Sequence, residues 1–361
     1  MAAPFLLLLL SLVACLCHAT TVLHQSNARE MLDGAGVDGA GGALARALGA
    51  ASSDPTPITY PTLWAIEDRL KALQEAHPDL VELWNAKDKY SIQPKDCPSR
   101  EDPDKGVLCP QTFIRLTNFT SGGEEWMAQS PTIKERPQVF FSGNLHGDEV
   151  VGPATLITLA EMLVACSDPR SKDFNPWVAR MLNTRVIVMV VVSNPWGFAR
   201  ASRLDAEGDP NRDFPYSRKK DKDCLLTGTA KGINAAWKEH LFQLAITFHG
   251  GMESITYEWG SIDNTHAAAV SPDDEAQKAL AETMGKMAGR FNDHLYVVGR
   301  TNDVVYPVEG GMEDWAYAGE CAFFFLSFFR KHSQGKHSLN PFSLTLFRFP
   351  PQPPLPPPPP L

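Results

Sequence analysis

Three runs of apolar residues, each followed at once by glycine or polar residues, constrain the fold of this chain more than any other feature. They occupy positions 138–142, 186–192 and 244–248. Unbroken stretches of Val, Ile and Phe are typical of strands that are buried on both faces. Helical patterns come between them, at 153–165 and at 272–291, where Ser271 is the predicted N-cap. Alternating strands and helices predict an α/β fold, a doubly wound, mixed and mostly parallel sheet with helices on both faces.

The residues that directly follow two of these runs are suited to hold a metal ion. His146 and Glu149 come after the first run, and His249 comes after the third. Because ligand sites in doubly wound sheets lie beyond the carboxyl ends of the strands, we expect these side chains to converge. Two imidazoles and a carboxylate, with a fourth position left open, match a catalytic zinc site. We therefore predict one zinc ion; the alternative for His249 is a hydrogen-bonded core histidine.

Five segments extend this pattern along the chain. They are Asn-Leu-His-Gly-Asp-Glu at 144–149, Asn-Pro-Trp-Gly-Phe at 194–198, Gly-Asp-Pro-Asn-Arg-Asp-Phe-Pro at 208–215, Thr-Phe-His-Gly-Gly at 247–251, and the Tyr and Gly-Gly segment at 306–317. In this order they resemble the motifs of the zinc metallocarboxypeptidases, the carboxypeptidase A, B and E family. The third is one residue shorter than that family's Gly-x-Asp-Leu-Asn-Arg-Asn-Phe-Pro. The resemblance implies a zinc-dependent enzyme that hydrolyses C-terminal residues from peptides.

The resemblance also assigns a substrate-binding group. An enzyme that acts at peptide C-termini needs a cation for the free carboxylate, and a guanidinium binds carboxylates in a bidentate manner. This role falls to Arg212, with Asn211 beside it and Tyr306 closing over the peptide. The structural alternatives are that Arg212 pairs with Asp209 or Asp213 and that Tyr306 packs at the rim.

A second arginine has a catalytic role by the same comparison. Arg203 would polarise the scissile carbonyl and stabilise the oxyanion that develops on it. Arg200, three residues earlier, is its main rival for this role.

One acidic residue suggests which C-terminal residues the chain prefers. Glu313 matches the place where family members that act on basic residues carry an acid. A carboxylate at the base of the pocket would favour a C-terminal Lys or Arg. The alternative is an ordinary exposed loop acid.

The pattern breaks where the family carries its general base, a glutamate on the last strand of the sheet. Glu320 is the final acidic residue of this chain, and a Phe-rich run at 322–329 follows it. Three explanations compete: the C-terminal sequence is an artefact of gene prediction, the chain is a zinc-binding pseudo-enzyme, or Glu253, Glu258 or Glu320 serves as the base. The Phe-rich run has the length and composition of a strand and could supply the missing one. The sequence therefore leaves undecided whether the last strand of the sheet is present.

The chain divides into four predicted segments. They are a signal peptide at 1–19, a flexible Ala- and Gly-rich leader at 20–57, a zinc carboxypeptidase-like domain at 58–320 that is incomplete at its C-terminal end, and an atypical Phe- and Pro-rich tail at 321–361. The apolar run of the predicted signal peptide is shorter than the ~20 residues that a membrane-spanning helix needs. We therefore predict secretion or a lumenal location rather than a membrane anchor. In that compartment Cys97 and Cys109 are candidates for a local disulfide. Asn118 begins a glycosylation sequon.

Charge restricts the classes of partner. A net charge of −9 offers no basic stripe for nucleic acid. The resemblance implies peptide or protein C-termini as partners, and the oligomeric state is left undetermined. Two other functions compete with the enzyme. One is a catalytically inactive, zinc-binding pseudo-carboxypeptidase that binds peptide C-termini. The other is a zinc deacylase, which would not be expected to carry the segment from Tyr306 to Gly311.

Overall fold

We describe the fold from a computed structural model. The described residues are 60–120, 133, 136–216, 223–288, 290–291, 294–320 and 323–329. The predicted signal peptide, the leader and the part of the tail beyond residue 329 lie outside them. Within these ranges, no helix combines the length and apolar character needed to cross a membrane.

Nine α-helices lie in the described ranges. They are α1 (Leu63–Ala76), α2 (Ala86–Tyr90), α3 (Val151–Ser167), α4 (Pro176–Thr184), α5 (Pro195–Ala199), α6 (Gly228–Trp237), α7 (Asp274–Ala288), α8 (Thr301–Val304) and α9 (Met312–Glu320). The strands of the same ranges are β1 (Val81–Asn85), β2 (Asp96–Pro98), β3 (Gly106–Leu108), β4 (Thr112–Leu116), β5 (Gln138–Gly143), β6 (Val186–Val190), β7 (Phe242–Gly250), β8 (Ser254–Tyr257), β9 (Arg290–Phe291), β10 (His294–Leu295), β11 (Val297–Arg300) and β12 (Phe323–Phe329).

Eight of these strands form one mixed sheet in the order β1-β4-β6-β5-β7-β12-β8-β11. The neighbours β6/β5, β5/β7, β7/β12 and β8/β11 are parallel, and the other three pairs are antiparallel. The three apolar runs form β5, β6 and β7, which are adjacent at the centre. The predicted fold class is therefore confirmed.

Both faces of the central strands are buried, which explains why their sequences lack polar alternation. On β5, Val139 and Phe141 pack into the core under α1, α3 and α4, whereas Phe140 packs into the core under α6 and α9. Trp237 fills the second core and contacts Phe140 edge to face. This two-sided burial holds the ends of β5 and β7 in fixed positions.

The last strand of the sheet, which the sequence left undecided, is present as β12. Phe323–Phe329 pairs in parallel with β7 and antiparallel with β8, and its register places Phe328 opposite His249. This strand lies between two others that form the sheet, so the Phe-rich run completes the centre of the fold.

The predicted bounds of the helix at 272–291 were wrong at both ends. Helix α7 begins at Asp274 and ends at Ala288, and Arg290–Phe291 belongs to a short strand. The Ser271 hydroxyl donates to the Gln277 side chain and does not cap the helix. Gln277 is buried and also donates to Glu258. The Ser271 hydroxyl therefore belongs to this buried polar network. The predicted disulfide between Cys97 and Cys109 is present and joins β2 to the end of β3.

Candidate metal centre

Three side chains from two strand ends converge on one point. His146 and Glu149 lie in the turn between β5 and α3, and His249 lies near the end of β7. The Nδ1 atom of His146 is 3.0 Å from Glu149 Oε1 and 3.2 Å from His249 Nδ1, which is 3.0 Å from Glu149 Oε2. All three residues are buried. The structure thus brings together the three predicted ligands, which are 103 residues apart at their extremes.

The turn between β5 and α3 is held by an asparagine that sequence reasoning did not single out. Asn144 adopts a left-handed φ of 61°, and its Nδ2 donates to the carbonyls of His146, Gly147 and Glu149. Gly147 lies so close to Gly197 that a Cβ there would overlap the Gly197 backbone. These contacts aim both ligands of the turn at the same point.

The donor set fits zinc. Ligands about 2.0–2.1 Å from a tetrahedral centre lie about 3.3 Å apart, and the ligand atoms here are 3.0–3.2 Å apart. Two imidazole nitrogens and one carboxylate are the ligand types of a catalytic site that keeps a fourth position open. Three buried ligand atoms could be satisfied together by one divalent cation.

The electrostatics keep the carboxylate ionised. Burial by itself would raise the pKa of Glu149, but the neighbouring His249 and His146 hold that pKa below its usual range. Burial lowers the pKa of His249, which favours the neutral imidazole that binds metals. Burial opposes protonation of His146 as well, but its bonds to Asp209 and Glu149 raise its pKa overall.

Asp209 is a candidate site residue that sequence reasoning did not assign to the metal centre. Its Oδ1 lies 3.1 Å from His146 Nε2, the ring nitrogen that faces away from the ligand cluster. A carboxylate in this place fixes the ring orientation and leaves Nδ1 as the metal-binding atom. In sequence, Asp209 is one of several polar residues of the segment 208–215. Its contact with His146, 63 residues away in the chain, is visible only in the structure.

The two candidate arginines take different positions. Arg203 donates to Asp209 Oδ2 at 3.2 Å and lies 3.5 Å from Glu149 Oε1, at the mouth of the metal cluster. Arg200 instead stacks on Trp196 and donates to the Asp96 carbonyl at 2.8 Å. Arg203 is thus the arginine of this pair that lines the pocket.

The predicted substrate-binding residues also line this pocket. Asn211 is buried, and its Oδ1 accepts a hydrogen bond of 2.9 Å from the Met312 amide. The guanidinium of Arg212 is 3.5 Å from the Tyr306 hydroxyl and 5.8 Å from its ring. Tyr306 is half exposed, as a residue at a rim would be. Asp209 and Asp213, the alternative partners of Arg212, bond to other groups.

Glu313 lies at the inner end of the pocket. It is only 1% exposed, so it is not an ordinary surface acid. Its Oε2 makes no hydrogen bond within the described part of the chain. Burial raises the pKa of Glu313, and burial together with Glu313 raises the pKa of Asp314 to about 8.

The pocket has a volume of about 230 Å³, and Glu149 and Glu313 are the carboxylates that line it in the described ranges. Glu253 and Glu258, two of the predicted substitute bases, do not line it. Glu258 is buried in the network with Gln277. The side chain of Glu320 lies outside the described residues. A larger cavity of about 410 Å³ is lined in part by Asp205 and Glu207 and includes none of the three ligands.

An α/β sheet whose strand ends carry a buried His-Glu-His cluster beside two arginines is suited to bind one metal ion. The sequence profile described as "Zinc carboxypeptidase" matches residues 113–346, which is more than half of the chain. The chain therefore belongs to the zinc carboxypeptidase family.

Curated relatives agree with this membership. Carboxypeptidase SOL1 from Arabidopsis thaliana is 33% identical over 192 residues, which cover 51% of this chain and 38% of the relative. Human carboxypeptidase D is 30% identical over 264 residues, 63% of this chain and 19% of the relative. The chain thus matches less than half the length of either relative.

A solved structure shows the same fold. The carboxypeptidase A from Helicoverpa armigera superimposes with a TM-score of 0.55 at 16% identity, covering 86% of this chain and 73% of the other.

Proposed function

We propose that this chain binds peptide C-termini at a single zinc ion and hydrolyses the terminal peptide bond, with a preference for basic terminal residues. The observation that carries the proposal is one pocket that contains the His146–Glu149–His249 cluster together with Arg203 and Arg212. Family membership supplies the reaction class, and the pocket supplies a group for each part of the substrate.

His146, Glu149 and His249 would hold the zinc ion. A bound zinc ion polarises a carbonyl and lowers the pKa of a bound water towards ~7. Arg203, 3.5 Å from Glu149, places a positive charge at the edge of the cluster. That charge is suited to stabilise an oxyanion on the scissile carbonyl.

Arg212 and Asn211 would bind the free carboxylate. Arg212 Nη1 donates to the Asn211 carbonyl at 2.7 Å, which holds the guanidinium at the pocket that it lines. Tyr306 lies across it and would cover the bound terminus. A substrate with an amidated C-terminus offers no negative charge here and should bind weakly.

Glu313 supports the preference for basic residues. It is a buried pocket carboxylate with an oxygen that makes no hydrogen bond in the described structure. Buried acceptors need a donor, and a substrate ammonium or guanidinium would supply one.

The second candidate function is recognition of C-termini without hydrolysis. It is favoured by β12, which lies next to the strand of His249 and contains no Asp or Glu between Phe323 and Phe329. Such a protein would keep zinc and the carboxylate-binding group and would lack the base that takes a proton from water.

One pair of measurements tests the proposal and separates the two candidates. Purified protein should contain one zinc per chain, and it should bind a peptide ending in free Arg more tightly than the same peptide amidated. Release of the terminal Arg, measured by mass spectrometry, would then indicate the enzyme. Binding without release would indicate the pseudo-enzyme, and absence of stoichiometric zinc would contradict both.

We also propose that the protein follows the secretory pathway. The Cys97–Cys109 disulfide, which forms in oxidising compartments, supports this location. Expression in a eukaryotic secretion host should release the protein into the medium, with a mass shift removed by a glycosidase if Asn118 is glycosylated.

A further inference from the structure

The segment 205–213 carries Asp209, Asn211 and Arg212, and a buried aspartate lies at each of its ends. Asp205 is 6% exposed and Asp213 is 5% exposed. Within the described residues, neither carboxylate bonds to the metal cluster or to the Arg212 guanidinium. Both carboxylates instead bond to the first turn of helix α6 and the residues just before it.

Asp205 binds the first turn of the helix. Its Oδ2 accepts from the Thr229 amide at 3.0 Å and from the Thr229 hydroxyl at 2.7 Å. Two backbone bonds between Asp205 and Gly208 close a tight turn after this contact. The turn brings Arg203 and Asp209 side by side, 3.2 Å apart.

Asp213 binds the residues that lead into the helix. Its Oδ1 accepts from the Leu226 amide at 3.0 Å, and its Oδ2 accepts from the amide and the hydroxyl of Thr227 at 2.7 and 2.8 Å. Its backbone carbonyl accepts from the Leu225 amide. Three donors on one carboxylate are more than a carboxamide at this place could accept with its single oxygen.

Helix α6, to which the segment is attached, is packed into the core. Ala230, Ile233, Ala236 and Trp237 bury one side of α6 in the core. On the opposite side of the segment, the Phe214 amide donates to the Gly310 carbonyl. The segment is therefore held between a buried helix and the loop before α9.

We infer that Asp205 and Asp213 are positioning residues that set the places of Arg203, Asp209 and Arg212 by fixing both ends of their segment to α6. The inference rests on the proposed function in assigning carboxylate binding to Arg212. Negative charge at a helix N-terminus is favourable, and charge-assisted bonds are about twice as strong as neutral ones.

The consequence for binding is geometric. Seven residues separate the two anchors, so a small shift at either end moves the guanidinium relative to the zinc ligands. A misplacement of about 1 Å can cost about a hundredfold in rate, even when it originates far from the chemistry. The zinc ligands lie on other segments, so a chain saturated with zinc should still hold one ion, and any loss of zinc affinity would come through the contact of Asp209 with His146.

The test uses Asp213→Asn and Thr229→Val in the full zinc-loaded chain, with Asp88→Asn, an exposed site on α2, as the control. Binding of one peptide with a free C-terminal carboxylate and of its amide is measured by calorimetry. We expect Asp213→Asn to weaken binding of the free acid at least about fivefold. Binding of the amide should stay within about twofold and zinc stoichiometry should not change. Thr229→Val removes the hydroxyl that donates to Asp205. We expect it to weaken binding of the free acid about threefold, again with little change for the amide.

Hydrogen exchange gives a second measurement that does not depend on the peptide. Amides of residues 206–212 should exchange faster in both variants, while those of 144–149 should not change. Unchanged exchange at 206–212, or an unchanged ratio of acid to amide affinity in folded, zinc-bound variants, would overturn the inference. A wild-type protein that binds acid and amide equally would instead contradict the proposed function, and the exchange data would still decide whether the aspartates order the segment.

Discussion

At the scale of single residues, His146 shows how one side chain can serve two purposes. Its Nδ1 faces Glu149 and His249, and its Nε2 faces Asp209. The imidazole thus reaches the metal position and the 205–213 segment at once. The orientation of this ring links zinc affinity to the segment that carries Arg212.

Replacing Asp209 should therefore weaken zinc binding. In Asp209→Ala the His146 ring loses its acceptor at Nε2, and we expect zinc affinity to fall about 10- to 100-fold. Competition with a chelating dye measures the dissociation constant. Asp104→Ala, at an exposed aspartate of the β2–β3 hairpin, is the control, and equal affinities in the two variants would show that Asp209 does not orient the ring.

Glu313 is the residue on which selectivity should depend. In Glu313→Gln the pocket loses a buried carboxyl that a bound cation would ionise, so a C-terminal Arg or Lys loses a charge-assisted bond worth about 1.5–3 kcal/mol. We expect affinity for peptides ending in Arg or Lys to fall about tenfold or more, with little change for Leu or Phe. The same peptides are titrated into Glu275→Gln, an exposed site on α7. A uniform loss for all four peptides would contradict the selective role.

At the scale of secondary-structure elements, α1 carries a buried acid that sets a pH dependence. Glu67 is 5% exposed and accepts a hydrogen bond of 2.9 Å from Thr112 on β4. Burial raises the pKa of Glu67 to about 7 from the usual 4.5, and Thr112 and Lys71 oppose this only in part. Burial between helix and sheet thus favours the protonated carboxyl, and the bond from Thr112 offsets that preference only in part.

The sign of the effect follows from the raised pKa. The folded state binds the proton more tightly than the unfolded chain, so this stabilisation is fully present below pH ~4.5 and is lost as pH rises through about 7. Glu67→Gln removes the ionisation. Relative to wild type, the variant should gain up to about 3 kcal/mol in free energy of unfolding between pH 5 and pH 8.5.

Urea unfolding at these two pH values measures the difference. Glu75→Gln, an exposed site on the same helix, should follow the wild type. If Glu67→Gln also follows the wild type at both pH values, Glu67 is ionised in the folded protein.

At the scale of the whole molecule, the sheet depends on β12. This strand bonds to β7 on one side and to β8 on the other, so it connects the half of the sheet with the metal ligands to the half with β8 and β11. Without it, the facing edges of β7 and β8 would be unpaired within the sheet. Unpaired edges promote aggregation.

A chain that ends at Glu320 should accordingly fail to fold. We expect it to elute as aggregate in size-exclusion chromatography and to show no cooperative thermal transition. A chain that ends at Arg330 retains β12 and serves as the control. If both chains are monodisperse with the same melting temperature, β12 does not hold the sheet together.

Some features of this protein can be predicted from local sequence alone. The runs that form β5, β6 and β7 are apolar because both faces of each strand are buried, and this requirement is visible within each run. The residue types of the metal cluster are visible as well, since few side chains bind zinc and they follow strand ends. The Tyr306, Arg212 and Glu313 assignments came from the family resemblance and stay predictions until binding is measured.

Tertiary structure alone decided the rest, because it depends on contacts between residues that are distant in the chain. Arg200 and Arg203 are alike in sequence, and only the contact of one with Asp96 and of the other with Glu149 separates them. Nothing near Asp205 or Asp213 indicates that both bind α6, because their donors lie 13 to 24 residues further on. The place of β12 between β7 and β8 is set by strand pairing across the whole sheet. Periodicity and composition report burial of a segment, whereas partner and register are determined by packing between segments.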